Sequence, residues 1–148
     1  MMAKNTDSVG IYIISRDTNK ILLLHRVKSP VVWSSLSGSM EIGENPMETI
    51  KREMYEETGL DPSLVSNILI LGQTKKGDFT HYVMIGYVDR EIKLPNLKMD
   101  ENDRYGWFSI DNLPSPIHPN WAGSFQLLKK FMDLRESFKK GFNKLINE

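Results

Sequence analysis

An α/β fold with a mixed β-sheet lying between helices is predicted by three observations. Two short, almost continuously apolar runs open the chain, at residues 9–15 and 20–27. A capped amphipathic stretch follows at residues 45–59, and a Phe-, Leu- and Lys-rich stretch closes the chain over residues 121–146. Three further strand-like runs lie between them. The resulting order of strand, strand, helix, three strands, helix is that of a sheet covered by helices.

The opening runs, VGIYIIS and KILLLHRV, are dense in Ile, Leu, Val and Tyr, and the Asp17-Thr18-Asn19 turn between them predicts a hairpin. Their lack of polar alternation predicts strands covered on both faces. A Ser/Gly-rich loop then spans residues 34–44. In the helix after it, Asn45 is the expected N-cap, Pro46 the first helical residue, and Glu48 the partner that completes a capping box. Met47, Ile50 and Met54 supply an apolar stripe at helical spacing, and Gly59 followed by Asp61-Pro62 stops the helix. Strands are expected at residues 67–73, 80–89 and 105–110, separated by Lys75-Lys76-Gly77-Asp78 and by a polar stretch at residues 96–103. The last helix, beginning at Trp121, carries a packing face of Phe125, Leu128, Phe131 and Met132, with Gly141 as a point where it could break. A face wider than the domain can cover would make a homodimer interface.

At 148 residues the chain has the length of one domain, residues 1–148. Its 19 basic and 19 acidic residues cancel, so no global positive field exists to hold an extended nucleic acid. An anionic substrate must instead be caught locally, by a few placed groups or by a cation. The absence of cysteine excludes disulfides, thiolate metal sites and cysteine nucleophiles. Residues 1–8 are polar, with no apolar signal core, and no run approaches the length of a membrane span. The expected location is the cytoplasm, with no membrane partner.

The residues that carry chemistry lie in residues 38–60, GSMEIGENPMETIKREMYEETGL. Glu53, Glu56 and Glu57 are spaced i, i+3, i+4 and therefore share one helix face, with Glu57 nearest the apolar stripe. Glu44, in the loop before the helix, can approach the same place. Like charges at this spacing repel by a few tenths of a kcal/mol per pair, roughly, and a divalent cation among them reverses the sign. Carboxylates without His or Cys point to magnesium, with manganese as a substitute, and away from zinc. Arg52, four residues before Glu56, is placed to hold that carboxylate by an ion pair. Taken alone, three glutamates describe a solvated acidic face more often than a cation site.

The surrounding residues change that balance, because the segment resembles the signature of the Nudix hydrolases, the MutT-like family, at every fixed position. Those positions are Gly38, Glu44, Arg52, Glu53, Met54, Glu56, Glu57, Gly59 and Leu60. At average residue usage such a match arises on the order of once in a billion windows, so coincidence is set aside. Trp33 lies five residues before Gly38 as is frequent in the family, and Glu41 and Gly43 also fit. Trp107-Phe108 with Asp111-Asn112-Leu113-Pro114 is similar to the family's late strand and turn. One departure is Leu36-Ser37, where the family usually has Pro-Gly; it implies an altered loop beside the substrate. The resemblance implies an α/β/α sandwich of the Nudix fold. It also implies hydrolysis of a nucleoside diphosphate linked to another group, with metal ligands at Glu53, Glu56, Glu57 and the Gly38 carbonyl.

The candidate catalytic set is Glu53, Glu56, Glu57, Arg52 and Glu101, and the candidate metal set is Gly38, Glu44, Glu53, Glu56 and Glu57. Glu101 enters because some family branches place a glutamate at about this distance before the late Trp; otherwise it belongs to an acidic surface loop. Family members differ in which glutamate acts as general base, and Glu56, Glu57 and Glu101 all remain open. Arg26, Trp33 and Phe79 are the candidate substrate-binding residues: Arg26 and Lys75-Lys76 for phosphate, the aromatic rings for stacking on a base. Tyr82, mid-strand, reads as core. His25, His81 and His118 show no ligand spacing and receive no role.

The expected function is therefore magnesium-dependent cleavage of a phosphoanhydride bond in a small nucleotide: a nucleoside triphosphate, a nucleotide sugar or an ADP-ribose type. Two alternatives stand beside it. One is a catalytically silent nucleotide-sensing module, which the intact acidic positions disfavour. The other is an RNA 5′-end pyrophosphohydrolase, for which only a short 5′ end suits the neutral charge.

Overall fold

The computed structural model describes residues 7–119 and 122–147. Residues 1–6, most of the polar N-terminal segment, and Trp121, the expected start of the last helix, lie outside the described residues. Seven strands and two helices follow the order β1 (Ser8–Ser15), β2 (Ile21–Arg26), β3 (Trp33–Ser34), β4 (Leu36–Ser39), α1 (Pro46–Thr58), β5 (Ser66–Lys76), β6 (Phe79–Val88), β7 (Asn102–Phe108) and α2 (Ala122–Asn147). A 3-10 turn, Pro62–Leu64, sits between α1 and β5.

The sheet runs β3-β2-β1-β6-β5, with β4 added on β1 and β7 on β2. It is mixed as expected: β1 and β6 are parallel along their whole shared length, and the other pairings between these strands are antiparallel. Both faces of β1 are buried, and the two-residue period of a strand divides its side chains between them. Val9, Ile11 and Ile13 pack with Leu22, Leu24, Ile50 and Met54 on the α1 side. Tyr12 and Ile14 pack with Ile21, Leu23, Phe125, Leu128 and Met132 on the α2 side. The sheet is thus the middle layer of an α/β/α arrangement.

Three local expectations change. The β1–β2 hairpin is joined only at its tip, Ile14 to Ile21, because residues 8–11 of β1 pair with β4 while β2 turns to β3 and β7. The Ser/Gly-rich loop contains the end of β3 and the whole of β4, whose two and four residues are too short to show a period. Lys75 and Lys76 belong to β5, and only Gly77-Asp78 forms the turn into β6. The α1 signals hold: Asn45 and Glu48 form the capping box, and Gly59 closes the helix in the left-handed region at φ 72°.

Helix α2 is unbroken through Gly141. Its first half packs on the sheet, but Leu134, Phe138, Phe142, Leu145 and Ile146 are exposed, so the apolar face is longer than the sheet covers. Among the described residues no helix is long and apolar enough to cross a membrane.

Ile50 is fully buried and fastens α1 to the sheet. Ile50→Ala should cost about 2–5 kcal/mol, read as a lower urea midpoint with an unchanged slope.

Candidate active site

Helix α1 presents its apolar side, Ile50 and Met54, to the sheet, and this registers the adjoining polar side against β4. Gly38 in β4 lies directly beneath Glu53. A Cβ at position 38 would stand 2.3–2.6 Å from the Glu53 carboxyl and its neighbouring carbon, so only glycine permits the approach. Because β4 is held on β1 by a register running from Ser8–Ser39 to Ile11–Leu36, the position of Gly38 is fixed by the sheet.

Arg52 organises the carboxylates. Its Nε and Nη2 donate to the two oxygens of Glu44 at 2.8 and 2.9 Å, and Nη1 donates to Glu53 at 2.8 Å and to Glu56 at 3.0 Å. Nη2 also donates to the Ser39 carbonyl at 3.1 Å, tying the helix to β4. Glu44 accepts two more bonds, from the Thr49 hydroxyl at 2.9 Å and the Glu41 N–H at 2.8 Å. With Arg52 first among these donors, the Glu44 pKa falls to about 2.

The five oxygen donors expected to hold a cation do not form one cluster. Among the described residues no three acidic or imidazole side chains converge as a ready cage. Glu44, Glu53 and the exposed Glu56 all accept from Arg52, and Glu57 meets Glu53 beside Gly38. The reason is electrostatic: an arginine amid the acids collects those it can reach. Glu57 escapes it and hydrogen-bonds to Glu53 instead. Burial first, and the Glu53 charge second, push Glu57 up to about 8; burial also raises Glu53.

Glu57 opens into a cleft of about 620 Å³ that also takes Gly38, Arg26, Lys28, Lys75, Lys76, Phe79 and Glu101 into its wall. Glu101 arrives there because the loop after β6 wraps the end of α1: Lys98 N–H donates to the Glu57 carbonyl at 2.8 Å, and Glu101 N–H donates to the Lys98 carbonyl at 3.0 Å. Lys28 meets Glu101 at 3.3 Å. Arg26 lines the cleft with its guanidinium donating to the carbonyls of Pro30 and Ser29. Phe79 lies in the wall of the same cleft.

Trp33 does not. It stacks edge-on against His25 and Phe108, each at 5.1 Å, beneath the Arg104 guanidinium. Pairing of β3 with β2 turns the ring into the α2-side packing, so the expected stacking role is corrected. Sequence reasoning also passed over His81, Lys28 and a row of serines, Ser8, Ser35 and Ser37, all of which line the cleft. The one signal available was the departure at Leu36-Ser37: Leu36 is core, and Ser37 faces the cleft.

A family model described as the NUDIX domain matches residues 4–131. The chain belongs to the Nudix family. Among relatives of this Nudix chain, the dihydroneopterin triphosphate diphosphatase of Haemophilus influenzae is 42% identical over 69 residues, covering 47% of this chain and 44% of that protein. The NAD-capped RNA hydrolase NudC of Pseudomonas aeruginosa is 33% identical over 108 residues, covering 70% of this chain and 36% of that one. The chain thus spans less than half the length of these curated relatives. A Nudix hydrolase from M. smegmatis, RenU, shares the fold, with a TM-score of 0.72 at 16% identity over 90% of this chain and 89% of that chain.

The raised Glu57 pKa predicts how stability changes with pH. A carboxyl that binds its proton more tightly when folded contributes stability that is complete below the unfolded value, about 4.3. That contribution is lost as pH rises through about 8. In the metal-free protein, thermal midpoints should therefore fall between pH 5 and 8, and Glu57→Gln should flatten that fall. A profile identical in the two proteins would contradict the buried carboxyl pair.

Proposed function

We propose that this Nudix chain is a magnesium-dependent hydrolase of a phosphoanhydride bond in a nucleoside diphosphate linked to another group. The observation that carries the reading is the Glu53–Glu57 pair, pressed together beside the Gly38 backbone at the wall of a cleft with basic side chains. Magnesium fits this donor set, because every donor is a hard oxygen and two carboxyls share a place that costs them their second charge. Glu53, Glu57 and the Gly38 carbonyl would hold the ion, with Glu56 nearby, and manganese would substitute. Bound there, the ion would neutralise phosphate oxygens and acidify a water.

The chain's own residues do the rest. Lys75, Lys76, Lys28 and Arg26 supply positive charge for the phosphates. Glu101 faces the same cleft as Glu57 and is the residue we favour to take the proton from water, with Lys28 holding its carboxylate. The oxygen of water joins one phosphorus, the bridging P–O bond breaks, and the bridging oxygen leaves on the other phosphate. Arg52 touches none of these atoms; it positions Glu53 and Glu56.

The substrate classes we put forward are nucleoside triphosphates, nucleotide sugars and ADP-ribose types. One relative is named for a triphosphate, of dihydroneopterin, and another for NAD-capped RNA. We also carry forward the homodimer, because the α2 face from Leu134 to Ile146 is uncovered. A single monomeric boundary in sedimentation at all concentrations would end that part.

Turnover should require magnesium and stop with EDTA, releasing a nucleoside monophosphate identified by mass. Glu57→Gln should keep the fold and lose turnover by about 100-fold or more, since a neutral amide is a poor ligand for a hard cation. Near-normal turnover in that variant would overturn the site. Glu101→Gln should lower turnover by about 100-fold, the scale of a lost general base, with an unchanged rate returning Glu101 to the surface loop. Tight nucleotide binding without turnover by the unaltered chain would favour the sensing module.

A further inference from the structure

The cleft floor is built from one transverse row of the sheet. Ser39 pairs with Ser8, Ser8 with His81, and His81 with Thr74, so four polar residues from β4, β1, β6 and β5 stand abreast. All four line the cleft. The row starts beside Gly38 and ends at the sheet edge. With strands about 4.8 Å apart, His81 lies roughly 10 Å from Ser39. His81 thus lies two strands across the sheet from the strand that carries Gly38.

The His81 ring is anchored at Nδ1. Its Nδ1 shares a 2.6 Å hydrogen bond with the Ser8 hydroxyl. On the other side, Nε2 and the buried Ser35 hydroxyl converge above Gly10: a Cβ there would stand 3.4 Å from Nε2 and 2.8 Å from the Ser35 oxygen. The next row inward holds two glycines, Gly10 beneath the Ser35 hydroxyl and the His81 ring, and Gly72 beneath Leu127 of α2. Phe79, two residues before His81 on the same face, adds an aromatic surface to the wall. Burial, helped by the charge of His118, lowers the His81 pKa. A neutral imidazole offers one donor and one acceptor and orients the hydroxyls on either side of it.

We propose that His81, with the Ser8 and Ser35 hydroxyls flanking it, is the subsite that reads the heterocycle of the substrate. The ligand it fits is a planar ring, packed on Phe79, whose edge carries a donor beside an acceptor, as guanine and pterin do. The proposal rests on the hydrolase reading for where the phosphates lie. It differs in what it assigns: His81 is a specificity-determining residue, and the basic side chains and carboxylates are not involved.

The test separates the two. Equilibrium binding of GMP and of ribose 5-phosphate to the full chain, read by calorimetry without metal, compares the intact protein with His81→Leu, His81→Gln and Ser8→Ala. The intact protein should bind GMP more tightly than ribose 5-phosphate. His81→Leu should weaken GMP by about threefold to tenfold, the scale of one hydrogen bond, and leave ribose 5-phosphate unchanged. Ser8→Ala should weaken GMP less, and His81→Gln, which keeps a donor and an acceptor, should restore part of the loss. In turnover of GTP, the effect should fall on KM with kcat little changed. Equal GMP affinity in the intact and His81→Leu proteins, each confirmed folded by its circular dichroism, would overturn the proposal. So would GMP bound no better than ribose 5-phosphate. Failure of the hydrolase reading appears elsewhere, as absent turnover with GMP discrimination intact.

Discussion

The arrangement turns on Arg52. One guanidinium, about one-fifth exposed, meets Glu44, Glu53 and Glu56 within 3.0 Å, with Glu41 at 3.8 Å, and reaches across to the Ser39 carbonyl. Four acids this close in the loop and helix would otherwise repel one another. Arginine suits the place because its planar fork donates in several fixed directions at once, which lysine cannot do. Its bidentate grip on Glu44 joins the loop to the helix, and its bond to Ser39 joins the helix to the sheet. Of the acids in the signature, Glu57 alone is beyond its reach, and Glu57 is the one that opens into the cleft.

The sheet supplies the other constraint. Strand β1 gives its second half to the β2 hairpin tip and its first half to β4, and this fork lays Gly38 against α1. The core on the α1 side then sets the distance at which Glu53 meets that glycine. The same fork brings Ser8 and Ser39 into the cleft floor. Packing and chemistry are therefore coupled: a slip of one residue in the β1–β4 register would send Gly38 to the other face and put a serine under Glu53.

Much of this was legible in the chain. The capping box at Asn45, the stop at Gly59 and the Ile50/Met54 stripe are local signals, and each encodes its element within a few residues. The apolar runs at β1 and β2 correctly implied burial on both faces. The signature located Glu53, Glu57 and Gly38, which the structure brings together. What stayed hidden depends on contacts between distant residues. Strands β3 and β4 exist only through pairing with β2 and β1. Trp33 stands near a loop in sequence but is claimed by His25 and Phe108 once β3 pairs. His81 has no neighbour that marks it, because its partner Ser8 lies 73 residues away. Glu44 was legible as an acid and not as the anchor of Arg52, since the same residue type serves both purposes.

The central claim is that Arg52 holds the acids so that Glu53 and Glu57 remain together for a divalent cation. The most direct measurement is binding of Mn²⁺, followed by electron paramagnetic resonance, to the unaltered chain and to Arg52→Met. The account predicts a bound ion in the unaltered chain and affinity lower by about tenfold or more in Arg52→Met, the scale of losing a residue that orients metal ligands, with the fold retained. Equal affinity in the two proteins would contradict it.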